Sequence, residues 1–239
     1  MVIFKESDHS YTDIKTNERL CSVTQRIKQF EKPYDENYWS EYKAKEYGES
    51  QETVLRYWEY LRTVSSIKGT LVHLFLENLW NGKIIDIHYP KYIDSLRAKE
   101  FIEFHTKTQK CLKLAKRFFL DYYETYETIS TEPIVRKGKY AGQVDLIVND
   151  LSINRPRIID YKTDKEIDYD NTYENFTDFL SHLPKSRYHK YCLQTNMYKQ
   201  MLDYETALPI VVWINENNDS YKLINVEDYS VEAKKLLEC

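Results

Sequence analysis

With 239 residues, of which 42% are hydrophobic, 15% aromatic and 30% charged, the chain can build a large core, and its 5 Gly and 6 Pro are too few for a disordered segment; the length suits one elaborated domain. A formal charge of -4 excludes a protein held to polyanions by bulk positive charge, though not one with a local basic groove. The apolar run Leu208 to Ile214 is far short of the roughly 20 residues that cross a bilayer, and MVIFKESDHS carries acids but no long apolar stretch; no signal peptide, no membrane and an intracellular, cytoplasmic type of location are expected.

Val2 to Phe4 and Ser10 to Ile14 read as a short hairpin. Ser22 or Thr24 caps a helix toward Phe30, which Lys32-Pro33 ends, and helical patterns resume over Tyr38 to Tyr47 and Glu52 to Val64. The N-terminal portion, about 1–66, is therefore expected to be mainly helical. From Ile67 to Trp80 apolar residues surround most of a helix that Asn81-Gly82 terminates, and a long helix follows from Ile93 to about Thr128. The period then changes: Ile129 to Arg136, Tyr140 to Val148 and Arg157 to Tyr161 are β-branched and aromatic runs, read as a three-stranded meander with Lys137-Gly138-Lys139 as one turn. After a loop or weak helix over Asp164 to Asp178 come a strong helix, Arg187 to Tyr204, two strands, Ala207 to Ile214 and Tyr221 to Val226, and a terminal helix from Val231. With no repeat or linker, this predicts a single α/β (α+β) domain over 1–239, one central mixed sheet flanked by helices, its core about 67–226.

Chemistry concentrates in the meander. Asp145 falls near the middle of one expected strand and Asp160 near the end of the next, among Val144, Leu146, Ile158 and Ile159. Two buried carboxylates side by side are costly unless a cation or proton compensates, so a divalent metal is the natural resolution. In Ile158-Ile159-Asp160-Tyr161-Lys162 the alternation puts Asp160 and Lys162 on one face, an oxygen ligand beside an ammonium that can meet one phosphate. Gly142, three residues before Asp145, leaves the backbone open there. On the earlier helix, Gly69, His73 and Glu77 recur every four residues and share a face; His73 can ligate a metal and Glu77 can orient it or a water. Gln194 and Tyr198 form a second such pair, an amide and a phenol for hydrogen bonds near a phosphate or base.

Taken in order, Gly69/His73/Glu77, Gly142/Asp145, Asp160/Tyr161/Lys162/Thr163 and Gln194/Tyr198 resemble the RecB-like branch of the PD-(D/E)XK nucleases, which includes Cas4 proteins, the AddAB and RecBCD nuclease domains and mitochondrial genome maintenance exonucleases. The resemblance covers roughly Ile67 to Tyr198. It implies a restriction-endonuclease-like fold, Mg²⁺ or Mn²⁺ held by His73, Asp145, Asp160 and the Tyr161 carbonyl, and Lys162 as the catalytic lysine; Glu132 is similar to an acid that often precedes the GxxD strand. Iron-sulfur members carry one cysteine before the nuclease core and a closely spaced triplet after it. Here Cys21, Cys111, Cys192 and Cys239 are scattered, with only Cys239 beyond Tyr198, so no such cluster is expected. No Walker phosphate loop is present, which leaves a stand-alone enzyme or a subunit dependent on a partner such as a helicase or recombinase.

Each fragment also has an ordinary reading: His73 as a packed histidine, Glu77 as a solvated acid, Asp145 and Asp160 as strand-end acids, Tyr198 as core. Lys107, Lys110, Lys113 and Arg117 form a helical stripe that is either solvated surface or a phosphate track, with Arg136, Lys137 and Lys139 at the hairpin turn as the competing track. The expectation is a metal-dependent exonuclease acting on single-stranded DNA or DNA ends in replication, recombination or repair. The alternatives are a structure-specific endonuclease and a noncatalytic nucleic-acid-binding protein that keeps the fold.

Overall fold

The computed structural model describes residues 1–5, 10–84 and 88–238. Its first elements are strands: β1 (Val2–Lys5) pairs antiparallel with β2 (Ser10–Asp13), and β2 with β3 (Arg19–Ser22). The turn expected between the first two strands, and the terminal Cys239, lie outside the described residues. Ser22 caps α1 (Val23–Lys28) and exchanges hydrogen bonds with Gln25 in a capping box. Asp35 caps α2 (Glu36–Tyr47), which Gly48 ends at a left-handed φ of 68°. The N-terminal portion is thus strands followed by helices rather than purely helical.

Two expected helices are one: α3 runs from Gln51 to Trp80, because Ser65 and Ser66 do not break a helix that contains no proline and is packed along its C-terminal half. The next helix is shorter than expected. A 3₁₀ turn occupies Lys91–Ser95, α4 spans Ala98–Tyr122, and the aromatic, β-branched stretch Tyr126–Thr131 becomes β4.

The three-stranded meander is also resolved differently. Glu132, at φ 50°, and Pro133 separate β4 from β5 (Ile134–Lys137), while Val144-Asp145 separates β6 (Tyr140–Gln143) from β7 (Leu146–Asp150). Both segments pass from one sheet to another at the same level, tied by Glu132 N–H donating to the Asp145 carbonyl at 3.0 Å and Val144 N–H to the Pro133 carbonyl at 3.1 Å. Instead of one central sheet there are, among the described residues, two mixed five-stranded sheets. The first has the order β1-β2-β3-β6-β5, with β3 and β6 parallel. The second has the order β10-β9-β8-β7-β4, built with β8 (Arg155–Lys162), β9 (Leu208–Trp213) and β10 (Lys222–Asn225), with β8 and β9 parallel.

The second sheet is covered on both faces, which is why its strands read as continuous apolar runs. Leu146, Val148, Ile159 and Tyr161 pack toward α3 and α4, and the alternate Ile147 and Ile158 pack toward α1, α5 (Arg187–Met201) and α6 (Ser230–Glu238). No described helix is long and apolar enough to cross a membrane.

Candidate active site

The pairing of β7 with β8 begins at Leu146 opposite Ile159, so Asp160, Tyr161 and Lys162 extend past the start of β7 and have no ladder partner on that edge. Asp145 fills the gap: its Oδ2 accepts the Tyr161 N–H at 2.6 Å. It sits in the crossover between sheets, not in mid-strand as its apolar neighbours suggested. The adjoining crossover, between β4 and β5, delivers Glu132, and α3 delivers His73, whose Nδ1 lies 3.3 Å from Asp145 Oδ1 and 4.0 Å from Glu132 Oε1. Ligand atoms of His73, Glu132 and Asp145 all lie within 4.8 Å of one another, a group that could hold a metal ion.

Close packing makes this assembly possible. A Cβ on Gly69 would stand 3.3 Å from the Thr163 hydroxyl, so α3 is seated against the end of β8. A Cβ on Gly142 would stand 2.5 Å from Tyr198 Cε1, so Gly142 admits the Tyr198 ring against β6. Gly142→Ala should therefore destabilise the protein by roughly 1–3 kcal/mol in urea denaturation, as overpacked cores do, and the same substitution should cost less in a Tyr198→Ala background, where the ring that it meets is gone.

Asp160 is 2% exposed and faces the α5 layer with Lys162, whose Nζ is 2.6 Å from Asp160 Oδ2 and 4.8 Å from the Tyr191 ring centroid. Gln194 Nε2 donates to the Tyr198 hydroxyl at 3.0 Å. Glu77 lies close enough to Glu132 for its charge to be felt there. Asp160 stands with Lys162, outside the close group of His73, Glu132 and Asp145, and that group includes Glu132, which sequence alone ranked below Asp160.

The electrostatics are those of crowded acids. Burial and the neighbouring Asp145 push Glu132 up to about 8. Burial, with Asp145 adding and Lys162 opposing, raises Asp160 to about 6. Burial also works against Asp145, but the charge and hydrogen bond of His73 hold it below the usual carboxylate range. For His73 burial is outweighed by Asp145 and Glu132, which push it up to about 9, and Lys162 is raised by Asp160 and Asp145 against the same burial. Asp160 Oδ2 is buried without an aligned hydrogen bond even though the ammonium is beside it. An oxygen-rich donor set with one imidazole, one buried oxygen short of a hydrogen bond and an acid driven to protonate is the chemistry that a divalent cation relieves.

Two neighbours escaped the sequence reading. Tyr191 packs under Lys162 and donates its hydroxyl to Asp164 at 2.6 Å; its place one turn before Gln194 on the same helical face was a usable signal. Tyr11, on β2, is near enough that Glu132 and Asp145 add to the burial that raises it to about 12, and nothing in the sequence links β2 to this site.

Of the proposed DNA contacts, Lys107 pairs with Glu103 at 2.6 Å, and Arg117 comes within 3.9 Å of Asp121. Lys110, Lys113 and Arg117 line a cleft beside Asn217. At the hairpin, Arg136 is engaged by Asp13, Lys137 by Asp203 at 2.9 Å, and Lys139 lies over the Tyr140 ring.

No family model matches the chain. No curated protein matches it either. Among solved structures it is similar to one named "Putative exonuclease" from Eubacterium rectale, at 15% identity, covering 94% of this chain and 79% of that one with a TM-score of 0.50. That likeness shows a shared fold over nearly the whole chain. A second structure, SSO0001, aligns at 14% identity over 70% of this chain and 72% of that one, with a TM-score of 0.30 too low to bear on the fold.

Proposed function

We propose that the protein is a divalent-metal-dependent deoxyribonuclease of the RecB-like PD-(D/E)XK type, acting as an exonuclease on single-stranded DNA or frayed ends. The observation that carries this reading is the end of β8, paired with β9 on one edge and free of β7 on the other, where Asp160 and Lys162 share one face and Asp145, with His73 and Glu132, closes the open edge. Support also comes from the fold, shared with a protein named as a putative exonuclease.

His73, Asp145 and Asp160 would hold Mg²⁺ or Mn²⁺, with Glu132 as a further oxygen ligand. The Tyr161 carbonyl faces the same edge as its N–H by strand geometry, and so toward Asp145. The bound cation would supply Lewis acidity, neutralising charge on the scissile phosphate and lowering the pKa of a water. Lys162, kept charged by Asp160, orients that water or stabilises the charge that develops on phosphorus-bound oxygens. Tyr191 fixes the ammonium from below. Gln194 would offer its amide on the α5 side to a phosphate or base, held there by its bond to the hydroxyl of the buried Tyr198, and Glu77 would orient a water.

End-labelled linear and covalently closed circular single strands, incubated with Mg²⁺ or Mn²⁺, test the proposal. Linear strands should be degraded and circles spared. Rapid cutting of circles would replace the exonuclease by an endonuclease, and failure to cut either form in either metal would leave a noncatalytic nucleic-acid-binding protein.

A further inference from the structure

Between α3 and the N-terminal half of α4 lies a groove of about 500 Å³, and a cleft of about 570 Å³ continues it along α4, with Glu216 bordering both. We infer that this groove binds single-stranded DNA several nucleotides from the cut, with Tyr57 and Tyr60 as a base-stacking platform. The inference rests on the nuclease reading above and names where its substrate lies.

Tyr57 and Tyr60, one turn apart on α3, present rings 6.3 Å apart and inclined by only 25°. Tyr57 is 56% exposed and the adjoining Leu61 40%, so this apolar surface faces open groove rather than core. Five basic and three acidic side chains line the first groove, and three basic and two acidic the second, a positive excess in a chain whose net charge is -4. Aromatic faces interleaved with cations fit a single strand, whose bases are free to stack; a duplex keeps its bases inside.

The groove also leads to the site. At its floor the nearly buried Lys68 pairs with Glu216 at 2.7 Å. Their sequence neighbours reach the segment just after Lys162: Gly69 lies against Thr163, and the Asn215 amide donates to the Asp164 carbonyl at 2.6 Å. Tyr60 and His73 ride on the same helix, about 20 Å apart along its axis at 1.5 Å per residue, which is a span of several nucleotides. Because Arg97 is engaged by Glu100, Lys107 by Glu103 and Lys68 by Glu216, stacking carries more of the binding here than charge does.

The test is fluorescence anisotropy in EDTA with labelled oligothymidylates of three and twelve nucleotides, on the full chain and on two variants. Tyr57→Ala/Tyr60→Ala should weaken binding of the longer strand about tenfold or more and leave the trinucleotide unchanged, and Tyr57→Phe/Tyr60→Phe should stay within about twofold of wild type. Wild-type affinity in the alanine pair, equal losses in both pairs, tighter binding of duplex, or tighter binding of oligouridylate would each overturn the assignment. Cleavage is read separately in Mg²⁺ and Mn²⁺. Absence of cleavage in every protein, with the affinity differences intact, would sink the nuclease reading and leave the groove standing.

Discussion

Asp160→Asn should lower cleavage by at least about a hundredfold and leave the metal-free protein as stable as wild type or more so. On the proposed chemistry, activity falls because a charged oxygen is removed from the place where phosphate charge would be balanced, an effect felt mainly in the transition state. Stability is spared because Asp160 is raised to about 6 by burial and by Asp145, so its ionised form is a burden to the metal-free fold and the amide keeps its shape. Lys162→Met should be equally inactive but roughly 3 kcal/mol less stable at pH 8, since it strands a buried carboxylate 2.6 Å from where the ammonium stood. Asp160→Asn/Lys162→Met should recover most of that stability and none of the activity. Urea denaturation beside a single-turnover cleavage assay reads both quantities. Wild-type turnover in Asp160→Asn, or a double variant as unstable as Lys162→Met, would remove the pair from the proposed chemistry.

What sequence could reveal about this site follows from how locally each part is specified. Asp160 and Lys162 were legible because period-two alternation within one strand needs no knowledge of the fold, and Ile158 and Tyr161 do pack on opposite faces as that alternation requires. His73 was legible through its four-residue spacing from Gly69, a position whose missing side chain the contact with Thr163 explains. The two-sheet architecture was not, because Tyr140 to Val148 is interrupted only by Gln143 and Asp145, reads as one strand and carries no proline or turn pair to mark a sheet change at Val144-Asp145. Glu132-Pro133 did carry one, since proline cannot donate to a ladder, but its meaning depended on a crossover 12 residues later held by Glu132 N–H and the Asp145 carbonyl. Glu132 was therefore underweighted and Tyr11 missed, both being placed by contacts between distant segments.

Saturating Mn²⁺ should raise the midpoint of thermal unfolding more at pH 8.5 than at pH 6, and the metal-free protein should lose stability as pH rises between those values. Glu132 is raised in the folded state from 4.5 to about 8, so across that window the folded protein holds a proton that the unfolded chain has released. A folded state that binds more protons than the unfolded one loses stability with rising pH, and the loss is complete once Glu132 ionises near 8. His73, raised from 6.5 to about 9, acts with the same sign: its contribution is full below 6.5 and gone above 9. Metal binding needs both groups deprotonated, so at pH 6 the cation competes with protons and at pH 8.5 far less. Glu132→Gln should flatten the decline of the metal-free protein between pH 6 and 8 and shrink the pH dependence of the Mn²⁺ effect, leaving the part due to His73. A metal-induced shift that is equal at both pH values in wild type would mean that Glu132 and His73 are not among the ligands, whatever the cation does elsewhere on the protein.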